Sequence, residues 1–67
     1  MKITVNGEER DTAAGDIASL VAELGLAPDQ VAVERNALLV PRRKWPETRL
    51  EANDRIEIVH FVGGGRA

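Results

Sequence analysis

Apolar residues change their spacing along this chain, and each change predicts an element. Ile3 and Val5 alternate with Lys2, Thr4 and Asn6, the period of two of a strand with one buried face. Asn6-Gly7 follows, a dipeptide suited to the positive φ angles of a tight hairpin turn. Glu8 to Thr12 then reads as a polar returning strand. Its charges fit a sheet edge, where they discourage pairing with other chains. From Ile17 the spacing becomes helical: Ile17, Leu20, Val21 and Leu24 fall at i, i+3, i+4 and i+7. Asp16 is placed to cap the start of this helix, Gly25 to end it, and Pro28 discourages continuation. The spacing predicts about ten helical residues, about 15 Å in length. So short a helix is not stable alone, so its stripe must bury against strands.

The alternation of two then returns. Val31 to Asn36 reads as a third strand, with Val31 and Val33 facing the helix and Ala32 and Glu34 facing away. Asn36-Ala37 makes a turn into Leu38-Leu39-Val40, which Pro41 ends. Arg42 to Thr48 reads as a loop containing Trp45 and Pro46, and Arg49-Leu50-Glu51 as a short strand or turn. Asn53-Asp54 is a turn signal before the last strand, Arg55 to Val62. There Ile56 and Ile58 share one face, and Glu57, Val59 and Phe61 the other.

Hairpin, crossing helix and a final strand beside the first make an α+β fold of β-grasp, ubiquitin-like type. The expectation is a mixed sheet of four to five strands with one helix packed on one face. Residues 1–62 form the domain, and residues 63–67 a flexible C-terminal glycine tail. The expected core is Ile3, Val5, Ile17, Leu20, Val21, Leu24, Val31, Val33, Leu50, Ile56 and Ile58. Removing a large member, such as Leu24, is expected to cost a few kcal/mol.

Composition narrows the function classes. Sixty-seven residues leave room for one domain with a small core. The chain has no cysteine, so disulfides, zinc–thiolate sites and catalytic thiols are excluded. Its start lacks the apolar run of a signal peptide, and no segment approaches the roughly 20 apolar residues that span a bilayer. A cytoplasmic protein without a membrane partner is expected. His60 is the single histidine, and with Glu57 nearby it falls short of a metal-ligand set. Asp16, Glu34 and Glu57 sit on different elements, so no paired-carboxylate centre and no catalytic residue is expected. Arg42-Arg43-Lys44-Trp45 has the cations and indole of a nucleic-acid contact. Four residues in a chain of net charge −2 fit a solvated loop with Trp45 on the domain's edge better, and no nucleic-acid partner is expected.

The end of the last strand runs directly into Gly63-Gly64-Gly65, followed by Arg66-Ala67. Three extended residues reach about 10 Å, with no side chain to block entry into a narrow cleft. Such a tail presents a chain end to another protein's active site; a frayed terminus or an expression scar has the same composition. Val59 and Phe61, with Ala32 on the neighbouring strand and Val62 beyond, form an apolar patch leading into the tail. This patch is the expected partner-docking surface.

Several segments carry a family resemblance. They are Val33-Glu34-Arg35-Asn36, Val40-Pro41-Arg42 with Trp45 nearby, and the run from Asn53 through Phe61 and Val62 to Gly65. With them, the chain resembles the ThiS sulfur carriers of thiamin biosynthesis, within the ThiS/MoaD superfamily, over residues 1–65. The resemblance implies a protein cosubstrate rather than an enzyme. The Gly65 carboxylate would be adenylated by an ATP-consuming, ThiF-like adenylyltransferase, with no cofactor bound to the carrier itself. The adenylate would become a thiocarboxylate with sulfur from a sulfur-donating enzyme, and a ThiG-like thiazole synthase would accept that sulfur. Gly63 and Gly64 would give the tail access. A MoaD-like carrier for molybdopterin synthesis and a β-grasp binding module that carries no sulfur are the alternatives. One departure stands out: Arg66 follows Gly65 and masks its carboxyl group in a peptide bond. Removal of Arg66-Ala67 by a protease, an artificial addition, and a diverged paralogue each account for it.

Overall fold

The computed structural model describes residues 1–61. Strands β1 (Lys2–Val5), β2 (Glu8–Asp11), β3 (Val31–Arg35), β4 (Leu38–Val40) and β5 (Arg55–His60) form one mixed sheet, and helix α1 (Ile17–Glu23) packs on it. The strand order is β2-β1-β5-β3-β4. β1 and β5 are parallel, while β1–β2, β3–β4 and β3–β5 are antiparallel. This is the expected β-grasp fold, with five strands. Arg49 forms only an isolated bridge to Asp16 rather than a strand of its own.

The first hairpin turns at Asn6 (φ 50) and Gly7 (φ 85), the paired positive angles that match the twist of the flanking strands. The second turns at Asn36 (φ 52) and Ala37 (φ 73). Asparagine tolerates this region, but alanine has no compensating feature there. Every residue of β2 is exposed, as its charges predict.

Helix α1 starts where the sequence places it. The Asp16 side chain accepts a hydrogen bond from the Ser19 backbone N–H at 2.7 Å. It is shorter than predicted, seven residues rather than ten. Gly25 (φ 73) reverses the chain. Its N–H donates to Ala22 C=O at 3.0 Å, and Leu26 N–H donates to Val21 C=O at 3.2 Å. These two bonds close a Schellman motif and satisfy carbonyls at the helix end. Leu24 therefore lies at the cap rather than inside the helix and is only half-buried, as is Val5 beside the first turn. Both expected core members are peripheral, and the loss expected at Leu24 shrinks accordingly.

The remaining nine expected core residues are buried, joined by Ala14 and Trp45. Trp45 corrects the loop reading of residues 42–48. Arg42–Glu47 form a 3₁₀ helix that turns the indole inward, leaving it 3% exposed. Its Nε1–H donates to Val40 C=O at 2.9 Å, so the ring is buried without an orphaned donor. Arg42, Arg43 and Lys44 stay in solvent.

Candidate functional site

β5 is the central strand, and the chain leaves the sheet from it. Two turn asparagines hold it. The Asn6 side chain accepts from Ile58 N–H at 2.7 Å and donates to Ile58 C=O at 3.2 Å. One amide thus replaces a residue of a neighbouring strand. At the start of β5, Asn36 Oδ1 accepts from Arg55 N–H at 2.9 Å, and Asn36 N–H donates to Arg55 C=O at 2.7 Å. Beyond its end, Phe61 N–H donates to Gln30 C=O at 2.9 Å. The ladder to β3 therefore persists to the last described residue.

Asp54 anchors the turn that feeds β5. It is 5% exposed. Its carboxylate accepts from Arg35 Nε at 2.8 Å, Asn36 Nδ2 at 3.1 Å and Glu51 N–H at 2.8 Å. Burial works to raise the Asp54 pKa. The Arg35, Glu51 and Asn36 hydrogen bonds and the Arg35 charge outweigh it, so the carboxyl is held below the ordinary aspartate range. The hydrogen bond to Asp54 in turn raises the Arg35 pKa. The sequence marked Asn53-Asp54 only as a turn. The partners lie 18 and 19 residues away in the chain, beyond any local pattern.

Of the predicted docking residues, Ala32, Val59 and Phe61 come together on the sheet face opposite α1. Ala32 stands directly across from Val59 in the β3–β5 register. Val59 is 61% exposed, Phe61 53%, and Ala32 is half-buried. Leu39, on β4 opposite Glu34, extends this face and is 64% exposed. The sequence reading missed it, although alternation from Val40, which packs toward the core, signals its outward face. Beside Phe61 a cleft of about 420 Å³ opens, lined by Val31, Ala32, Leu39, Pro41, Trp45 and Phe61 among others. Val62, Gly63, Gly64, Gly65, Arg66 and Ala67 lie outside the described residues.

Other candidate sites are accounted for. His60 is an exposed strand residue across from Val31. Among the described residues no three histidine, cysteine or carboxylate side chains gather as a metal site. No helix among them is long and apolar enough to cross a membrane. The indole of Trp45 lies in the core and is not offered for base stacking, which removes half of the nucleic-acid motif.

Comparison with known proteins converges on one family. The model of the ThiS family matches residues 3–65. The chain is 46% identical over 67 residues to a thiazole synthase of Magnetococcus marinus, an alignment covering 98% of this chain and 21% of that protein. It thus spans about a fifth of that relative's length. It is 40% identical over 67 residues to the sulfur carrier protein ThiS of Bacillus subtilis, covering 94% of this chain and 98% of that one. The crystal structure of a thiamine biosynthesis protein (ThiS) from Geobacter metallireducens superposes with a TM-score of 0.84 at 29% identity, covering 97% of this chain and all of the other. A β-grasp sheet whose central strand leads into glycines, matched by this family from residue 3 to residue 65, belongs to a member of the ThiS family.

Proposed function

We propose that this chain is a sulfur carrier of thiamin biosynthesis and that Gly65 bears the sulfur. The observation that supports the reading is the strand that leads into the glycines in sequence. That strand is clasped on both sides, and an exposed apolar face lies beside its end. A terminal carboxylate has a pKa of about 3.5 and is ionised at neutral pH, which makes it a poor electrophile. Its oxygen attacks the α-phosphate of ATP on a ThiF-like adenylyltransferase, and pyrophosphate leaves. Hydrosulfide supplied by a sulfur-donating enzyme then attacks the acyl carbon, AMP leaves, and the S–H proton is lost to solvent. The product is a thiocarboxylate whose sulfur is nucleophilic and tethered. Docking of the folded domain raises its local concentration at the thiazole synthase that accepts it. Similarity to part of a thiazole synthase supports that partner.

In this sequence Gly65 is followed by Arg66. Hydrolysis of the Gly65–Arg66 bond by a protease frees the reacting carboxyl group. Intact mass spectrometry of the protein from its native cells tests the reading. The expected species has lost Arg66 and Ala67 and carries one oxygen replaced by sulfur. Protein that keeps Arg66 and Ala67 and never acquires sulfur in thiamin-producing cells would overturn it.

Gly63 and Gly64 serve access. A Cβ at residue 64 adds bulk where the tail enters the adenylating site. Gly64→Val is expected to fold normally and to be adenylated far more slowly, which pyrophosphate release would measure. Ala32, Val59, Phe61 and Val62 form the docking surface for the adenylyltransferase. Phe61→Asp is the variant that tests it, by titration against that enzyme.

A further inference from the structure

The open sheet face has a second half that differs in character from the apolar one. Glu34 on β3 and Glu57 on β5 stand directly opposite each other, and both are exposed. Side chains so paired have Cβ atoms about 5 Å apart, and like charges there oppose the strand pairing. The ion pairs among the described residues are Lys2–Glu9, Arg10–Glu23, Arg35–Glu51 and Arg35–Asp54. None of them includes Glu34 or Glu57. Arg35, next to Glu34 in sequence, is committed to Asp54 and Glu51. Arg55 shares a groove of about 410 Å³ with Glu34, Asn36, Ala37 and Glu57, but forms no ion pair with either carboxylate. The two charges thus oppose folding and are not offset within the described chain.

We propose that this face receives a protein surface that sets an arginine or lysine beside an apolar side chain, presented by the adenylyltransferase. The cation sits between Glu34 and Glu57 while the apolar group covers Val59 and Phe61. This rests on the docking role given above to the apolar half. Charge selects the occupant: nucleic-acid phosphates and anionic lipid headgroups are repelled by two adjacent carboxylates, whereas a guanidinium relieves their repulsion on arrival. The arrangement also fixes orientation. Glu57 and Phe61 are four residues apart on one extended segment, about 13 Å. A partner with its cation at one end and its apolar group at the other docks in one direction. The end of β5 then points the same way in every productive encounter.

The test is the double variant Glu34→Gln/Glu57→Gln, titrated calorimetrically against the adenylyltransferase at low and high salt, beside Phe61→Asp. The double variant is expected to bind about tenfold more weakly at low salt, to lose most of the salt dependence, and to melt no lower than the wild type. Wild-type affinity and salt dependence in the double variant, with binding lost in Phe61→Asp, would overturn the charged half and leave the docking face intact. Weakening in the double variant with Phe61→Asp unaffected would support the charged half and remove the apolar one. If neither variant changes binding, both the docking face and this proposal fall. A lowered melting temperature in the double variant would give the carboxylates a structural role and also overturn the proposal.

Discussion

One strand has two careers in this molecule. On β5, Ile56 and Ile58 are buried against the helix side, while Glu57 and Val59 on the reverse face lie in solvent. The two sets alternate residue by residue, yet they answer to different demands. The covered face resembles any small core: aliphatic, closed and joined to α1 and the 3₁₀ helix through Trp45. The open face keeps apolar area and like charges exposed, which a sheet built for stability alone would remove. Because a strand alternates strictly, the core face and the proposed docking face occupy the same six residues with little interference. A β-grasp domain can therefore be very small and still present a specific surface.

This division is open to challenge by substitution. The largest effect is expected at Leu20, fully buried on α1. Leu20→Ala should cost about 3 kcal/mol by chemical denaturation, a large share of what so small a domain holds, without altering the affinity of the molecules that remain folded. Next comes Asp54→Asn, which weakens the Arg35 pairing and sets an amide among N–H donors. A loss of about 2 kcal/mol is expected at neutral pH. The pH dependence has a defined sign. The folded Asp54 pKa is depressed, so its stabilisation is complete above the unfolded value of about 3.9. It is lost as pH falls through the folded value. The gap between wild type and Asp54→Asn should therefore narrow in acid, and a gap that widened would contradict the assignment.

Asn6→Gly is more discriminating. Glycine accepts the positive φ of the turn but removes both bonds to Ile58, so the loss combines the clasp with the added freedom of glycine in the unfolded chain. About 1 kcal/mol is expected, together with faster amide exchange at Ile58. The smallest effect is expected on the open face: Val59→Ser should change stability by no more than about 0.5 kcal/mol. A large loss there would mean that the two faces are not independent.

Most of the architecture was legible because it is written locally. Alternation assigned the faces of β1, β3 and β5, and the Asn6-Gly7 and Asn36-Ala37 pairs marked both hairpins. Asp16 and Gly25 bracketed α1, although the Schellman closure at Leu24 left the helix at seven residues rather than the ten expected. The proposed docking residues Ala32, Val59 and Phe61 were likewise readable as one face, since strand parity alone puts them opposite the helix. What escaped was non-local. Trp45 sits among charges in a segment with no period, and only the fold reveals that its indole completes the core. Asp54 looked like turn chemistry because Arg35 and Asn36 are distant in sequence. The opposition of Glu34 and Glu57 depends on the register of two strands separated by 19 residues, which no single stretch encodes.

The clasping of β5 has a mechanical consequence. A tail gripped inside an enzyme transmits any pull along the strand that precedes it. β5 is hydrogen-bonded to β1 on one side and β3 on the other, and those bonds run across the direction of the pull. Force along the chain therefore loads both ladders in shear, sharing tension among many bonds, instead of peeling them apart one at a time. The Asn6 amide adds two more links near the loaded end. In the proposed carrier role the domain acts as a handle whose hold on the chain is strongest along the axis of β5, the strand that leads into the glycines.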